Sequence, residues 1–208
     1  MPERPLVSVV MAACNAGGGL QTTLEGILGQ ENISLEFIVV DDGSTDRTFD
    51  ELREIAGRDQ RVKVFNQENR GLTAALIHGC QKAVGEFIAR QDAGDMSLPG
   101  RFLRQVDLLK STPDTVICSS FVEFRGPRDE YLYTAAVDEA ELQSAGASGV
   151  LLGPSHHGSV MMRRDAYEAA GGYRREFYFA QDLDLWSRLA ERGRHVVVPE
   201  VLYRARLE

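Results

Sequence analysis

Cysteine is scarce in this chain. Cys14, Cys80 and Cys118 are odd in number and far apart, which excludes a disulfide-framed secreted scaffold and gives none of the paired spacings of a zinc site. A reduced, cytoplasmic compartment is expected, with Cys14 and Cys80 as small core residues. Long apolar runs are missing too. None reaches the roughly 18 to 20 residues that cross a bilayer, and MPERPLVSVV lacks a signal-peptide core. Basic charge is short: 23 Lys and Arg face 31 Asp and Glu, a formal net charge of −8. That argues against a nucleic-acid or anionic-membrane surface, leaves room for a local phosphate pocket, and is compatible with peripheral docking at the inner face of a membrane. No repeat, low-complexity tract or linker divides the 208 residues, so one domain over 1–208 is expected.

What the chain does have is alternation. Leu6–Met11 is a β-branched apolar run of central-strand length, followed by a loop with Asn15 and Gly17–Gly19. Leu20, Leu24, Ile27 and Leu28 recur at helical spacing. A second strand, Phe37–Val40, ends in Asp41 and Asp42, and Ser44, Thr45 or Asp46 can cap the helix that follows. Val62–Phe65 is a third strand, and Leu72 to Val84 form an apolar stripe stopped by Gly85. Phe87–Ala89 is a fourth strand. Four strand–helix alternations with short connections predict a mostly parallel sheet with right-handed crossovers.

Beyond it, Ser97 and Pro99 suggest the start of a helix carrying Phe102 to Leu109, and Thr115–Phe121 reads as a strand. Regularity then fades. Asp138 and Glu141 resemble a capping box for a helix through about Ala147. Leu151–Gly158 is expected as loop, Ser159–Met162 as strand, Ala166–Ala170 as a short helix, Gln181–Arg192 as a helix and Val196–Val198 as the last strand. The change of texture near residue 120 separates a nucleotide-type half, about 1–120, from a substrate-type half, about 121–208.

Ligands of open α/β sheets sit beyond the carboxyl ends of the strands, which is where EFIARQDAGD delivers Asp92 and Asp95, with Ala93 and Gly94 allowing a bend between them. Two neighbouring acids raise each other's pKa unless a cation neutralises them. Oxygen ligands suit Mg²⁺ or Mn²⁺ completed by substrate phosphates, which points to a nucleoside diphosphate. Asp41 and Asp42 could accept from a nucleobase imide or ribose hydroxyls, or form only a turn and cap. Arg70 could contact a base or phosphate, although a surface arginine is the commoner reading. On its helix, Asp182 shares a face with Leu185, Trp186 and Leu189, while Asp184 lies about 200° away and is expected to face outward. One inward acid opposite a separate metal-binding pair is what base-assisted transfer requires. His156 and His157 read as loop histidines more readily than as ligands, and His78 and His195 as structural or surface residues.

Taken together, VSVVMAACN, VDDGSTD, NRGLTAAL, GEFIARQDAGDMSLPGRF, GGYR and QDLDLWSRL resemble, in order and spacing, a family 2 glycosyltransferase of the GT-A fold, over nearly the whole chain. The resemblance implies an α/β, Rossmann-like domain that moves a sugar from a nucleotide-diphosphate donor, a UDP-sugar above others, to the hydroxyl of a glycan, lipid-linked or other acceptor, with inversion. It implies nucleotide contacts from Ala13, Asn15, Asp41, Asp42, Arg70, Asp92 and Ala93, a metal at Asp92 and Asp95, and Asp182 as catalytic base. Three places depart from the pattern. Gly94 stands where the metal motif often has Asp, Gln181 where Glu usually precedes the base, and the Gln-x-x-Arg-Trp motif of processive members is absent, which favours one transfer per encounter. Relatives of this family often continue past the point matching Glu208 with acceptor-binding or membrane-associating helices. The alternatives in other classes are a nucleotidyltransferase, whose Gly-rich loop carries a basic residue that Gly17–Gly19 lack, and a non-catalytic nucleotide-sugar-binding module.

Overall fold

The computed structural model describes residues 4–137, 154 and 156–207. In chain order the elements are β1 (Val7–Ala13), α1 (Gly19–Leu28), β2 (Leu35–Asp42), α2 (Thr48–Arg58), β3 (Val62–Gln67), α3 (Leu72–Lys82), β4 (Phe87–Arg90), β5 (Met96–Ser97), α4 (Arg101–Ser111), β6 (Thr115–Arg125), β7 (Tyr131–Ala135), β8 (Met161–Arg163), α5 (Arg164–Ala169), α6 (Gln181–Ala190) and β9 (Arg194–Arg206). The strands form one sheet in the order β3-β2-β1-β4-β8-β6-β9-β5, with β7 added on β6. Pairing is parallel from β3 to β4, as strand–helix alternation demands. β8 then runs antiparallel between β4 and β6, and β6 and β9 are parallel again.

The period of two along each strand sorts the apolar residues between two layers. Val7, Val9 and Met11 of β1 join Phe37 and Val39 of β2 against α1, α2 and α4, through Leu24, Ile27, Leu52 and Phe102. Val10, Ile38 and Ile88 face the other way, against Leu76 of α3, Tyr167 of α5 and Leu185, Trp186 and Leu189 of α6. Full burial of each such side chain contributes about 1.5–3 kcal/mol. Both faces are therefore covered, and polar side chains at the carboxyl ends of β1, β2 and β4 are left at the rim.

The second half departs from expectation in particular ways. The edge strand β7 carries four consecutive exposed residues, Tyr131, Leu132, Tyr133 and Thr134, so it has no burial alternation to betray it. The last strand is far longer than Val196–Val198. Pro199 removes a ladder donor and the register with β6 slips there, from Ser120 opposite Val198 to Phe121 opposite Val201, which hides the continuation. α4 begins after Gly100 in a left-handed conformation, whereas Ser97 lies in the short strand β5. His157–Ser159 is a 3-10 turn preceding a strand that starts at Met161. The Asp138/Glu141 capping box and its helix lie outside the described residues. Among the described residues, no helix is long and apolar enough to cross a membrane.

Candidate active site

β4 stops where its register with β1 and β8 ends, and the chain turns through Asp92–Asp95. Gly94 has φ +93°, a conformation that L side chains rarely adopt, with open space where a Cβ would sit. Backbone, not crowding, thus excludes the acid the resemblance leads one to expect there. Thr23 of α1 ties the turn down: its Oγ1 donates to the Asp95 carbonyl at 2.8 Å and accepts from Gly94 N–H at 3.0 Å.

The two carboxylates differ in surroundings. Asp95 is buried, with Oδ2 accepting from the Tyr203 hydroxyl at 2.9 Å and Oδ1 from Arg206 N–H at 2.9 Å. Burial, reinforced by the Asp92 charge, pushes the Asp95 carboxyl up to about 7 against those two hydrogen bonds. Asp92 is one-third exposed and ion-paired to Arg90, itself fully buried at the end of β4. Burial works to raise the Asp92 carboxyl, yet Arg90, His157 and His156 together hold it below its usual range.

The 3-10 turn brings both neighbouring histidines beside the acid turn, the rarer of the two readings their loop position allowed. His156 lies 3.8 Å from Asp92 Oδ2 through Nδ1 and 3.8 Å from Asp95 Oδ2 through Nε2. Its ring stacks on Tyr203 and meets Phe124 edge-on. Because His156 Nδ1 accepts from Gly158 N–H at 3.0 Å, the neutral ring carries its proton on Nε2, the nitrogen nearer Asp95. His157 Nε2 accepts from the Tyr173 hydroxyl at 2.7 Å and from Arg90 Nε at 3.3 Å, and burial with the Arg90 charge holds it well below the usual histidine value. Ligand atoms of Asp92, Asp95 and His156 lie within 4.8 Å of one another. The two carboxylates suit Mn²⁺ or Mg²⁺, with His156 adding a nitrogen if its Nδ1 gives up the Gly158 N–H to the ion, and an acid raised by burial and by its neighbour's charge is one that a cation would relieve. Gly158 closes the back: a Cβ there would collide with the Tyr203 hydroxyl and come within 2.9 Å of Asp92 Oδ2. Gly158→Ala is expected to cost about 1–3 kcal/mol of stability by overpacking, read as a lowered denaturant midpoint; an unchanged midpoint would mean that the turn shifts freely.

At the end of β2 the acid pair divides its work. Asp42 is spent on its own chain, Oδ1 accepting from Gln67 Nε2 at 2.7 Å and Arg70 N–H at 2.9 Å, and Oδ2 from Gly71 N–H at 2.8 Å. Asp41 is fully buried. Its Oδ2 accepts from Asn66 Nδ2 at 2.9 Å and Ser44 N–H at 3.2 Å, while Oδ1 has no partner among the described residues. A buried orphan acceptor costs roughly 1–3 kcal/mol, so a ligand donor there is rewarded. Asn15, in the left-handed region with φ +51°, uses its amide oxygen on Thr45 and Asp46 N–H groups, joining the first loop to the second. Ala13 sits opposite Asp41 in the ladder. Ala93 packs against the core beneath the acid turn. The Arg70 side chain is exposed, beside Glu68 at 3.8 Å. Cys14 is exposed beside Asn69, not a core residue.

Asp182 stands in the first turn of α6, partly buried, with its Oδ1 accepting from Leu183 N–H at 2.9 Å. Asp184 does not face outward. Its side chain is 7% exposed, closed in by Arg188 and by Arg174 at 3.4 Å.

Sequence reasoning missed Arg90, Arg101, Tyr173 and Tyr203. Arg90 left a signal: a cation closing an apolar strand with an acid two residues on, hence on the same face. Tyr203 left none, because the strand that carries it was hidden by Pro199.

Residues 8–170 match the family model described as Glycosyl transferase family 2. Over 99% of its length the chain is 35% identical to a protein assigned as a glycosyltransferase, EpsE of Bacillus subtilis (strain 168), covering 74% of that protein. It is 28% identical to the amylovoran biosynthesis glycosyltransferase AmsE of Erwinia amylovora, over 90% of this chain and 70% of the relative. The fold is shared with S. aureus TarS in complex with UDP-GlcNAc (TM-score 0.78, 17% identity, 97% of this chain). It is also shared with the mannosyltransferase PcManGT of Pyrobaculum calidifontis in complex with GDP-Man and Mn²⁺ (TM-score 0.75, 23% identity, 98% of this chain). The chain spans 58% and 57% of those two solved chains.

Proposed function

The chain belongs to glycosyl transferase family 2, and from that premise we propose that it moves a sugar from a nucleoside diphosphate sugar to an acceptor hydroxyl with inversion, one transfer per encounter. The observation that supports this reading is the separation of two kinds of acid. The Asp92–Asp95 pair is held beside Arg90 at the end of β4, and Asp182 comes from a different element, the first turn of α6. Asp182 takes the proton of the acceptor hydroxyl, whose oxygen attacks the anomeric carbon from the face opposite the diphosphate, in a single displacement without a covalent sugar–enzyme. Asp41 accepts from the base or ribose through its orphan Oδ1, and Asp42 shapes the Arg70–Gly71 turn beside it. Asp92 and Asp95 would hold a divalent cation, with His156 alongside. When bound, such a cation acts as a Lewis acid on the diphosphate leaving group. The donors of TarS and PcManGT make UDP- and GDP-sugars the candidates to test, the UDP-sugars first.

The division of labour between the β2 acids supplies the test. Asp41→Ala is expected to lose about 1–3 kcal/mol of nucleotide affinity, together with some melting temperature, because Asn66 Nδ2 and Ser44 N–H lose their acceptor. Asp42→Ala is expected to lower both, because it strips the Arg70 and Gly71 N–H groups of their acceptor. Titration calorimetry showing that Asp41→Ala binds UDP and GDP as tightly as the parent would remove Asp41 from the binding site.

A further inference from the structure

We propose that Arg101, acting through Tyr203, is a positioning residue that holds the Asp92–Asp95 turn and the His156–Val160 turn in one frame, so that the diphosphate end of the donor site depends on it. This rests on the donor-binding reading above.

Arg101 opens α4 and is fully buried, yet among the described residues no carboxylate pairs with it. Its N–H groups go to groups around the site instead. Nη2 donates to the carbonyls of Arg90 at 2.9 Å, Gly158 at 2.8 Å and Val160 at 3.4 Å. Nη1 donates to Ser97 Oγ at 2.8 Å and Gln91 Oε1 at 3.3 Å, and Nε to Gln105 Oε1 at 3.2 Å. One planar group therefore reaches the end of β4, the histidine turn and β5. A lysine could not, having a single nitrogen at its tip.

The guanidinium also lies 4.8 Å over the Tyr203 ring. The hydroxyl of that tyrosine donates to Asp95 Oδ2 and accepts from Asp92 N–H at 3.1 Å, and the ring's face supports His156. Gln91, fixed by Arg101 and Ser97, donates to the carbonyls of Asp92 at 3.0 Å and Asp95 at 3.1 Å. Both acids and His156 are thus oriented by contacts that converge on Arg101. A charge buried without an acid partner is expensive. Burial lowers the Arg101 pKa to about 10, which still leaves it charged at neutral pH. A core built for stability alone would use an apolar side chain at this place.

The test compares nucleoside mono- and diphosphates, because the second phosphate reports on the acid turn while base and ribose report on the β2 end. Affinities of UMP, UDP, GMP and GDP with Mn²⁺ are measured for the parent, Arg101→Met, Arg101→Lys and Tyr203→Phe, beside their melting temperatures. Orienting partners of metal ligands are typically worth about 10- to 100-fold in affinity. The diphosphate advantage is expected to fall by about that factor in Arg101→Met, partly in Arg101→Lys and measurably in Tyr203→Phe, with monophosphate affinity kept. A folded Arg101→Met protein that is less stable but keeps the parent's diphosphate-to-monophosphate ratio overturns the inference and leaves the donor site standing. If Arg101→Met does not fold, Tyr203→Phe with an unchanged ratio overturns it equally. A parent that binds neither diphosphate better than its monophosphate removes the donor reading itself, and this inference with it.

Discussion

Replacing Asp182 by Asn is expected to lower sugar transfer by roughly 10²- to 10⁴-fold, the usual worth of a general base, while nucleotide affinity barely moves. Asn keeps the size and hydrogen-bonding reach of the side chain, including the acceptor for Leu183 N–H at 2.9 Å, and removes the proton acceptor. The structure supplies a contrasting variant two residues on. Asp184→Asn strips charge from a closed ion-pair site with Arg188 and Arg174, and breaking a buried pair can cost about 3–5 kcal/mol. That variant should therefore melt early yet turn over normally per folded molecule. Melting temperature and turnover, measured on both, separate chemistry from scaffold. Full transfer by a folded Asp182→Asn protein would contradict the proposed mechanism.

The second large effect is expected at the acid turn. Chelation, or Asp95→Ala, should reduce diphosphate binding by at least the 10- to 100-fold or so typical of disturbing a metal's surroundings. Asp92→Ala carries an additional penalty, since it leaves the buried Arg90 guanidinium without its carboxylate. UDP or GDP affinity, measured by calorimetry in Mn²⁺ and again in excess chelator, reads the effect directly. Equal affinity in both would assign the acids a purely structural role, with Arg90 as the charge that balances Asp92.

How far the sequence could be read follows from which physical signals are local. β1 to β4 and α1 to α3 announce themselves because each strand is a short apolar run and each helix an apolar stripe, with the turn acids between them. Asp41, Asp42, Asp92 and Asp95 were found for the same reason: a carboxylate at a strand end is visible in a window of ten residues. What the window cannot show is how an acid is used. Asp41 and Asp42 are identical in type and adjacent, but one keeps an orphan oxygen and the other is consumed by Gln67, Arg70 and Gly71. Asp184 was misread because helical phase gives direction only; Arg174 arrives from a separate loop to cover it. His156 and Tyr203 meet the acid turn across separations of roughly 60 and 100 residues, and Arg101 reaches it only through Gln91 and the Tyr203 ring; such pairing has no periodic signature.

The central claim, that the carboxyl ends of β1, β2 and β4 bind a nucleotide sugar with a divalent cation at the acid turn, is tested most directly by donor binding to the parent, Asp41→Ala and Asp95→Ala proteins. UDP-GlcNAc and GDP-mannose, each with Mn²⁺ and then with chelator, are followed by thermal shift and calorimetry. The account predicts that a donor at about 100 times its dissociation constant stabilises the parent by roughly 2.7 kcal/mol, that chelator or Asp95→Ala removes most of this, and that Asp41→Ala weakens it with the fold intact. Binding to neither donor, or binding that both variants and the chelator leave unchanged, would contradict it.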